Sequence, residues 1–195
     1  MANDSTSAGF LSPASVPLYS DGLDDALQAA IVGITGIPGS LVRPRWQPEP
    51  PNQPPFSTDW CAFGVTRTDS DIFSYTNTDE LDQGFGVVAI ERTEEITVLH
   101  SFYGPNSDAY CARLRAGLDL SQNRDTLTTS GIALVAVQEA LKLPALLQKK
   151  WVKRVDVTII YRRRVSWQYP VNALTSGQAG LDNELYTTPI NITNP

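Results

Sequence analysis

Histidine and cysteine are scarce in this 195-residue chain: His100 is the one histidine, and Cys61 and Cys111 are the two cysteines. A Ser-His-Asp or Cys-His centre would have to be built on His100. That residue lies mid-strand on an apolar face and reads as a core or interface histidine. There is no CxxC pair and no His/Cys grouping at zinc spacing. Both cysteines sit in apolar patterns and read as buried, reduced thiols of a cytoplasmic protein. No apolar run approaches the roughly 20 residues that span a bilayer. The start of the chain lacks the basic and apolar regions of a signal peptide, so no membrane partner is expected. Residues 33–39 are glycine-rich but follow a helical pattern and lack the Lys-Ser/Thr of a phosphate loop; they read as a helix stop. Residues 69–83 are polar and acidic and read as a long, solvated hairpin loop; the acids at 69–82 lack the ligand spacing of a calcium loop. No catalytic, cofactor or metal site is expected, and the reading is of a protein that is not an enzyme.

The balance of 15 basic and 21 acidic residues leaves a net charge of -6. This argues against a dedicated nucleic-acid binder and leaves room for a local basic patch. One such patch exists, Arg162-Arg163-Arg164, whereas residues 170–195 contain no Lys or Arg at all.

What is present is organised around residues 96–120. Ile96, Val98, His100 and Phe102 fall on one face of a strand, with Thr97, Leu99, Ser101 and Tyr103 on the other. Gly104 and Pro105 break it, Asn106 or Ser107 is placed to cap a helix with Asp108 in its first turn, and Cys111, Leu114 and Leu118 make its apolar stripe. An earlier helix is predicted from Asp21 as cap, through the stripe Leu23, Leu27, Ile31 and Ile34, to a stop at Gly36 and Pro38. Residues 40–45 make a short strand. Pro44, Pro48, Pro50, Pro51, Pro54 and Pro55 make 44–55 an extended surface connection laid over its own domain. Residues 60–68 read as a buried strand, 87–103 as one long strand or two meeting near Glu94 and Glu95, 121–130 as a short helix with Asp125 near its start, 132–137 as a strand, and 140–148 as helix-like but limited by Pro144.

Residues 151–169 alternate strongly, with Val155, Val157, Ile159, Tyr161, Val165 and Trp167 on one face and Arg154, Asp156, Thr158, Arg162, Arg164 and Ser166 on the other; Ile160 and Arg163 are exceptions. Unbroken, this stretch reaches about 60 Å, against a radius of gyration of about 16 Å for a domain of this length. It must bend, break or project. The expected fold is α+β, sandwich-like, with a mostly antiparallel or mixed sheet flanked by two or three helices. The domain covers 20–169, between an N-terminal arm, 1–19, and a C-terminal arm, 170–195. The C-terminal arm is either disordered or laid on a neighbour as an added strand. Polar arms, a projecting basic strand end and tryptophans beside strand ends suggest assembly. The interface candidates are Arg162, Arg163, Arg164, Trp167, Arg43, Arg45, Trp46, Tyr186 and Ile190. At least one of the three adjacent arginines is expected to pair with a carboxylate across a subunit boundary.

Several stretches also resemble the phage neck terminator family: Arg43-Pro44-Arg45-Trp46-Gln47-Pro48, Trp60-Cys61-Ala62-Phe63-Gly64, LHSFYGP at 99–105, YCARLRAG at 110–117, Asn123-Arg124, and the strand opening with Trp151-Val152-Lys153-Arg154-Val155. The resemblance covers about residues 20–169. It implies a tail terminator, which forms a ring, typically of six copies, on the last tail-tube ring, ends tube growth and offers the head connector a docking surface. It also implies a sheet flanked by helices. The implied partners are further copies of the chain, the tail-tube protein and, where the tail is contractile, the sheath, and a connector or stopper protein. Genomic DNA would pass through the lumen without specific binding, and the implied location is the virion neck, assembled in the host cytoplasm. Two other readings stay open: a different neck or tail component (stopper, head-completion or tube protein), and a small enzyme using His100 with nearby carboxylates.

Overall fold

In the computed structural model, which describes residues 9–17, 19, 21–78, 85–147, 149–172, 176–182 and 187–193, the central stretch folds as its alternation predicts. Strand β4 (Phe85–Tyr103) is one continuous strand and runs into helix α2 (Ser107–Asp119). Ile96, Val98, His100 and Phe102 are all buried, as are Cys111, Leu114 and Leu118. Gly104 makes the turn at φ +108°, where a Cβ would stand 2.7 Å from the Thr58 carbonyl oxygen and 2.6 Å from Asp59 Oδ1. No side chain fits there, and the backbone angle itself favours glycine. The capping expectation is corrected. Asn106 occupies the cap position, but its side-chain amide donates to Asp59 Oδ2 (2.9 Å) and its backbone N–H to Asp59 Oδ1 (2.8 Å). Ser107 lies inside α2, buried.

The chain divides into two units, and β4 runs through both. The larger unit comprises Leu18–Ile72 and Thr93–Val165. Its helices are α1 (Asp21–Thr35), α2 and α3 (Ser121–Thr129). Its strands are β1 (Val42–Pro44), β2 (Trp60–Ser70), β5 (Ile132–Lys142) and the parts of β4 and β8 (Arg154–Asn172) that lie within it. The sheet order is β1-β2-β4-β8-β5. The β1–β2 pair is parallel, and β2–β4 and β5–β8 are antiparallel. The helices cover one face: Leu23, Leu27 and Ile31 of α1, Leu114 and Leu118 of α2 and Leu127 of α3 share a core with Phe63, Ile96, Phe102, Val157, Ile159 and Tyr161. The fold is α+β, a mixed sheet flanked by helices. Burying each of these large side chains stabilises the fold by about 1.5–3 kcal/mol relative to leaving it in water.

The opposite face near β1 and β2 lies under the proline-rich connection. Arg45 hydrogen-bonds to the buried Ser101 Oγ, and the Trp46 ring packs on Gly64. The smaller unit comprises Met1–Pro17, Phe73–Arg92 and Ser166–Pro195. In it, strand β3 (Tyr75–Thr78) pairs antiparallel with the start of β4, and Ser15 bridges Gln168. Strands β9 (Ser176–Asp182) and β10 (Thr187–Thr193) form an antiparallel hairpin.

Several expectations change. Asp21 is the first residue of α1 rather than its cap, and Asp125 lies mid-helix in α3. The 69–83 stretch is not one loop, since β2 extends to Ser70 and β3 follows; 79–83 lies outside the described residues. The helix-like 140–148 is extended. β5 runs to Lys142, and β6 (Ala145–Leu147) pairs with β7 (Lys150–Val152). Pro144 denies a helix its hydrogen bond, and the short apolar run finds strand partners instead. The 151–169 strand breaks at Lys153 into β7 and β8, and β8 reaches Asn172. The C-terminal arm pairs with itself rather than standing as a single added strand.

Candidate functional site

The period of β8 places Val155, Val157, Ile159, Tyr161, Arg163 and Val165 on the core side, and all six are buried. Arg163 was an exception in residue type only; its position obeys the alternation. Glu94 stands in the same phase of β4 as Ile96 and Val98 and is also buried. The two meet. Arg163 Nε and Nη2 both donate to Glu94 Oε2, at 3.0 and 2.8 Å. The Tyr19 hydroxyl donates to Glu94 Oε1 at 2.7 Å, and the Arg163 guanidinium lies 4.4 Å from the Tyr19 ring centre. Burial and the Glu94 carboxylate both raise the Tyr19 phenol above its ordinary pKa, so it stays protonated and donating. Arg162, one residue earlier and exposed, pairs with Glu95. Two of the three adjacent arginines therefore have carboxylates of their own chain as partners. Arg164 is exposed, and Trp167, in the smaller unit, is half-buried. Tyr186 lies outside the described residues, and Ile190 is a β10 residue opposite Ala179.

A second cluster gathers Arg43, Arg45 and Trp46. Trp60 and Tyr103 are cross-strand partners of β2 and β4, and their rings stack at 4.3 Å and 8°. Arg43 lies 6.0 Å from the Trp60 ring and Arg154 lies 5.7 Å from Tyr103, making a cation–ring–ring–cation ladder. Arg154 is neutralised by Asp156 through bonds of 2.7 and 2.5 Å. Arg43 instead donates to two neutral carbonyls, those of Ser40 (3.0 Å) and Asn52 (2.8 Å). Trp46 is 71% exposed, with its backbone at φ +58°. Together these residues line a groove of about 430 Å³.

His100 is fully buried, and neither ring nitrogen has a hydrogen bond of good geometry among the described residues. Burial pushes its pKa down to about 4, while the nearby backbone of Val157 and Val98 pulls the other way. The ring is neutral at pH 7 and closed to solvent. Burial likewise raises Cys61 and Cys111, the latter to about 11, and both are free thiols. Among the described residues no three His, Cys, Asp or Glu side chains gather as metal ligands, and no helix is long and apolar enough to cross a membrane.

Sequence reading missed Glu94, Tyr19, Trp60, Tyr103 and Arg154 as members of these clusters. A signal for the first existed: Glu94 and Arg163 are opposite charges, each at a buried phase of its strand.

The fold and clusters define a mixed-sheet α+β protein with shielded ion pairs and an aromatic, arginine-lined surface groove. The chain belongs to the phage neck terminator proteins: the model of that family matches residues 21–184. No curated protein matches it. Its role is that of a structural protein of the phage tail and neck, and its place is the virion.

Proposed function

We propose that the chain caps the tail tube as a closed ring of six identical subunits, ends tube growth and presents the docking surface for the head connector or stopper protein. The observation that carries this reading is the family match across 21–184. On this reading its neighbours are further copies of itself, the tail-tube protein and, in a contractile tail, the sheath. The genome passes through the lumen without specific binding, as suits a chain of net charge -6, and the ring assembles in the host cytoplasm. The interface candidates on the described surface are Arg43, Arg45, Trp46 and Arg164, with Arg162 and Arg163 anchoring the strand that carries them. Domain and arms retain the proposed division at 19/20 and 169/170, with the C-terminal hairpin as an attachment element.

The test is imaging of tails assembled with and without the protein. A sixfold ring at the head-proximal end, and tails that overgrow or fail to join heads in its absence, is the expected result. A twelvefold ring, or normal tail length and joining without the protein, overturns the reading.

A further inference from the structure

The groove at Arg43 and Arg45 has a chemical counterpart on the same chain. Five ion pairs between described residues neutralise Arg67, Lys142, Arg154, Arg162 and Arg163. Arg43 and Arg45 have no carboxylate within ion-pair distance among the described residues; they hold carbonyls and the Ser101 hydroxyl. Arg45 Nε is buried without a hydrogen-bond partner there. Besides Gln47, Gln53 and the paired Arg154, the groove offers flat apolar walls: Trp46, Trp60, Tyr103, Pro50 and Pro51. It suits a ligand that joins a carboxylate to large apolar side chains.

The loop after β2 supplies that combination. Asp71, Ile72 and Phe73 are consecutive and exposed, with Ile72 at 89% and Phe73 at 86%. The Asp71 backbone N–H is fixed to the Thr93 carbonyl oxygen at 3.0 Å, so the root of the loop is held. No carboxylate–cation pair involves Asp71 among the described residues. Two adjacent large apolar side chains in water beside an unanswered carboxylate mark a contact surface rather than scattered exposure.

We propose that Asp71, Ile72 and Phe73 of one copy seat in the arginine–tryptophan groove of a second copy, Asp71 facing Arg43 and Phe73 entering among Trp46, Trp60 and Pro50. Groove and loop share no residue, and on the ring reading the contact runs head-to-tail, each copy giving its loop to the next until the ring closes. The inference thus rests on the ring reading and names the interface. A nucleic-acid backbone would engage the arginines but would leave Ile72 and Phe73 without a role, and it would approach an acidic protein.

The test places a photo-crosslinker at an exposed position, Phe73→p-benzoylphenylalanine, in the full chain. Unlabelled and ¹⁵N-labelled copies are mixed, irradiated both at high protein concentration and on tails lacking the protein, and digested for mass spectrometry. Mixed-isotope crosslinks from position 73 to peptides containing Trp46, Pro50 or Trp60 are expected. Phe73→Ser should weaken self-association at least tenfold, and Arg43→Glu should do the same and be restored to within a few fold by Asp71→Arg. Crosslinks to any other surface, to nucleic acid or to another phage protein, or none at all, overturn the proposal. A sixfold neck ring with a different crosslink pattern would overturn this contact and leave the ring reading intact. The expected crosslinks in an assembly absent from the neck would do the reverse.

Discussion

Arg163 and Glu94 lie 69 residues apart in sequence and form a buried ion pair in which two guanidinium N–H groups share one carboxylate oxygen. Each residue is 6% exposed. The second carboxylate oxygen is taken by the Tyr19 hydroxyl, so the carboxylate is satisfied on both sides. The pair sits on the core face of the sheet, between the buried Tyr161 and Val165 of β8, and its charges are compensated there.

Removing one partner leaves a buried charge without compensation, so Arg163→Met or Glu94→Gln should each cost about 3–5 kcal/mol. The double variant Glu94→Leu/Arg163→Met should return to within about 1 kcal/mol of the parent, since a well-packed apolar replacement avoids the desolvation cost. Urea midpoints with unchanged slope measure this. Additive losses in the double variant would show that the two side chains do not act as a pair.

His100 makes folding pH-dependent. Its pKa falls from 6.5 in the unfolded chain to about 4 when buried. Between those values the unfolded state binds the proton and the folded state does not, so stability is full above pH 6.5 and declines as pH falls toward 4. The loss is roughly 3 kcal/mol when complete. The stability difference between pH 7 and pH 4.5 should shrink in His100→Leu; an equal slope in both proteins would assign the acid sensitivity elsewhere.

Two helical glycines should respond oppositely to alanine. At Gly33 of α1 a Cβ meets nothing within 4 Å, so Gly33→Ala should stabilise by up to about 1 kcal/mol through helix propensity. At Gly117 of α2 the Cβ would collide with Cγ2 of Ile34 on α1. Overpacking costs about 1–3 kcal/mol and outweighs the propensity gain, so Gly117→Ala should lower the melting temperature while Gly33→Ala raises it.

Deleting residues 176–195 removes the β9–β10 hairpin, and none of the deleted residues belongs to the larger unit. Near-ultraviolet circular dichroism of the larger unit's aromatic residues should survive, while attachment to tails, measured by co-sedimentation, should drop at least tenfold. Unchanged co-sedimentation would make the hairpin dispensable for attachment.

The sequence by itself determined the elements whose signal is periodic and local. Leu23, Leu27 and Ile31 mark α1; the even-numbered residues from Ile96 to Phe102 mark the buried face of β4; Val155 to Val165 mark that of β8. Periodicity of this kind is a relation between near neighbours along the chain, and it needs no knowledge of the partner. It failed at 140–148, where a short apolar run suits helix or strand equally and pairing with β7 and β8 decides. Tertiary structure alone decided how charges are answered. Arg162 and Arg163 lie opposite Glu95 and Glu94 because β8 is placed beside β4 in the sheet, and Arg43 stands over Trp60 because β1 runs parallel to β2. Coulombic and stacking energies depend on distances of a few ångströms between segments tens of residues apart. Strand order sets those distances, and no local pattern records it.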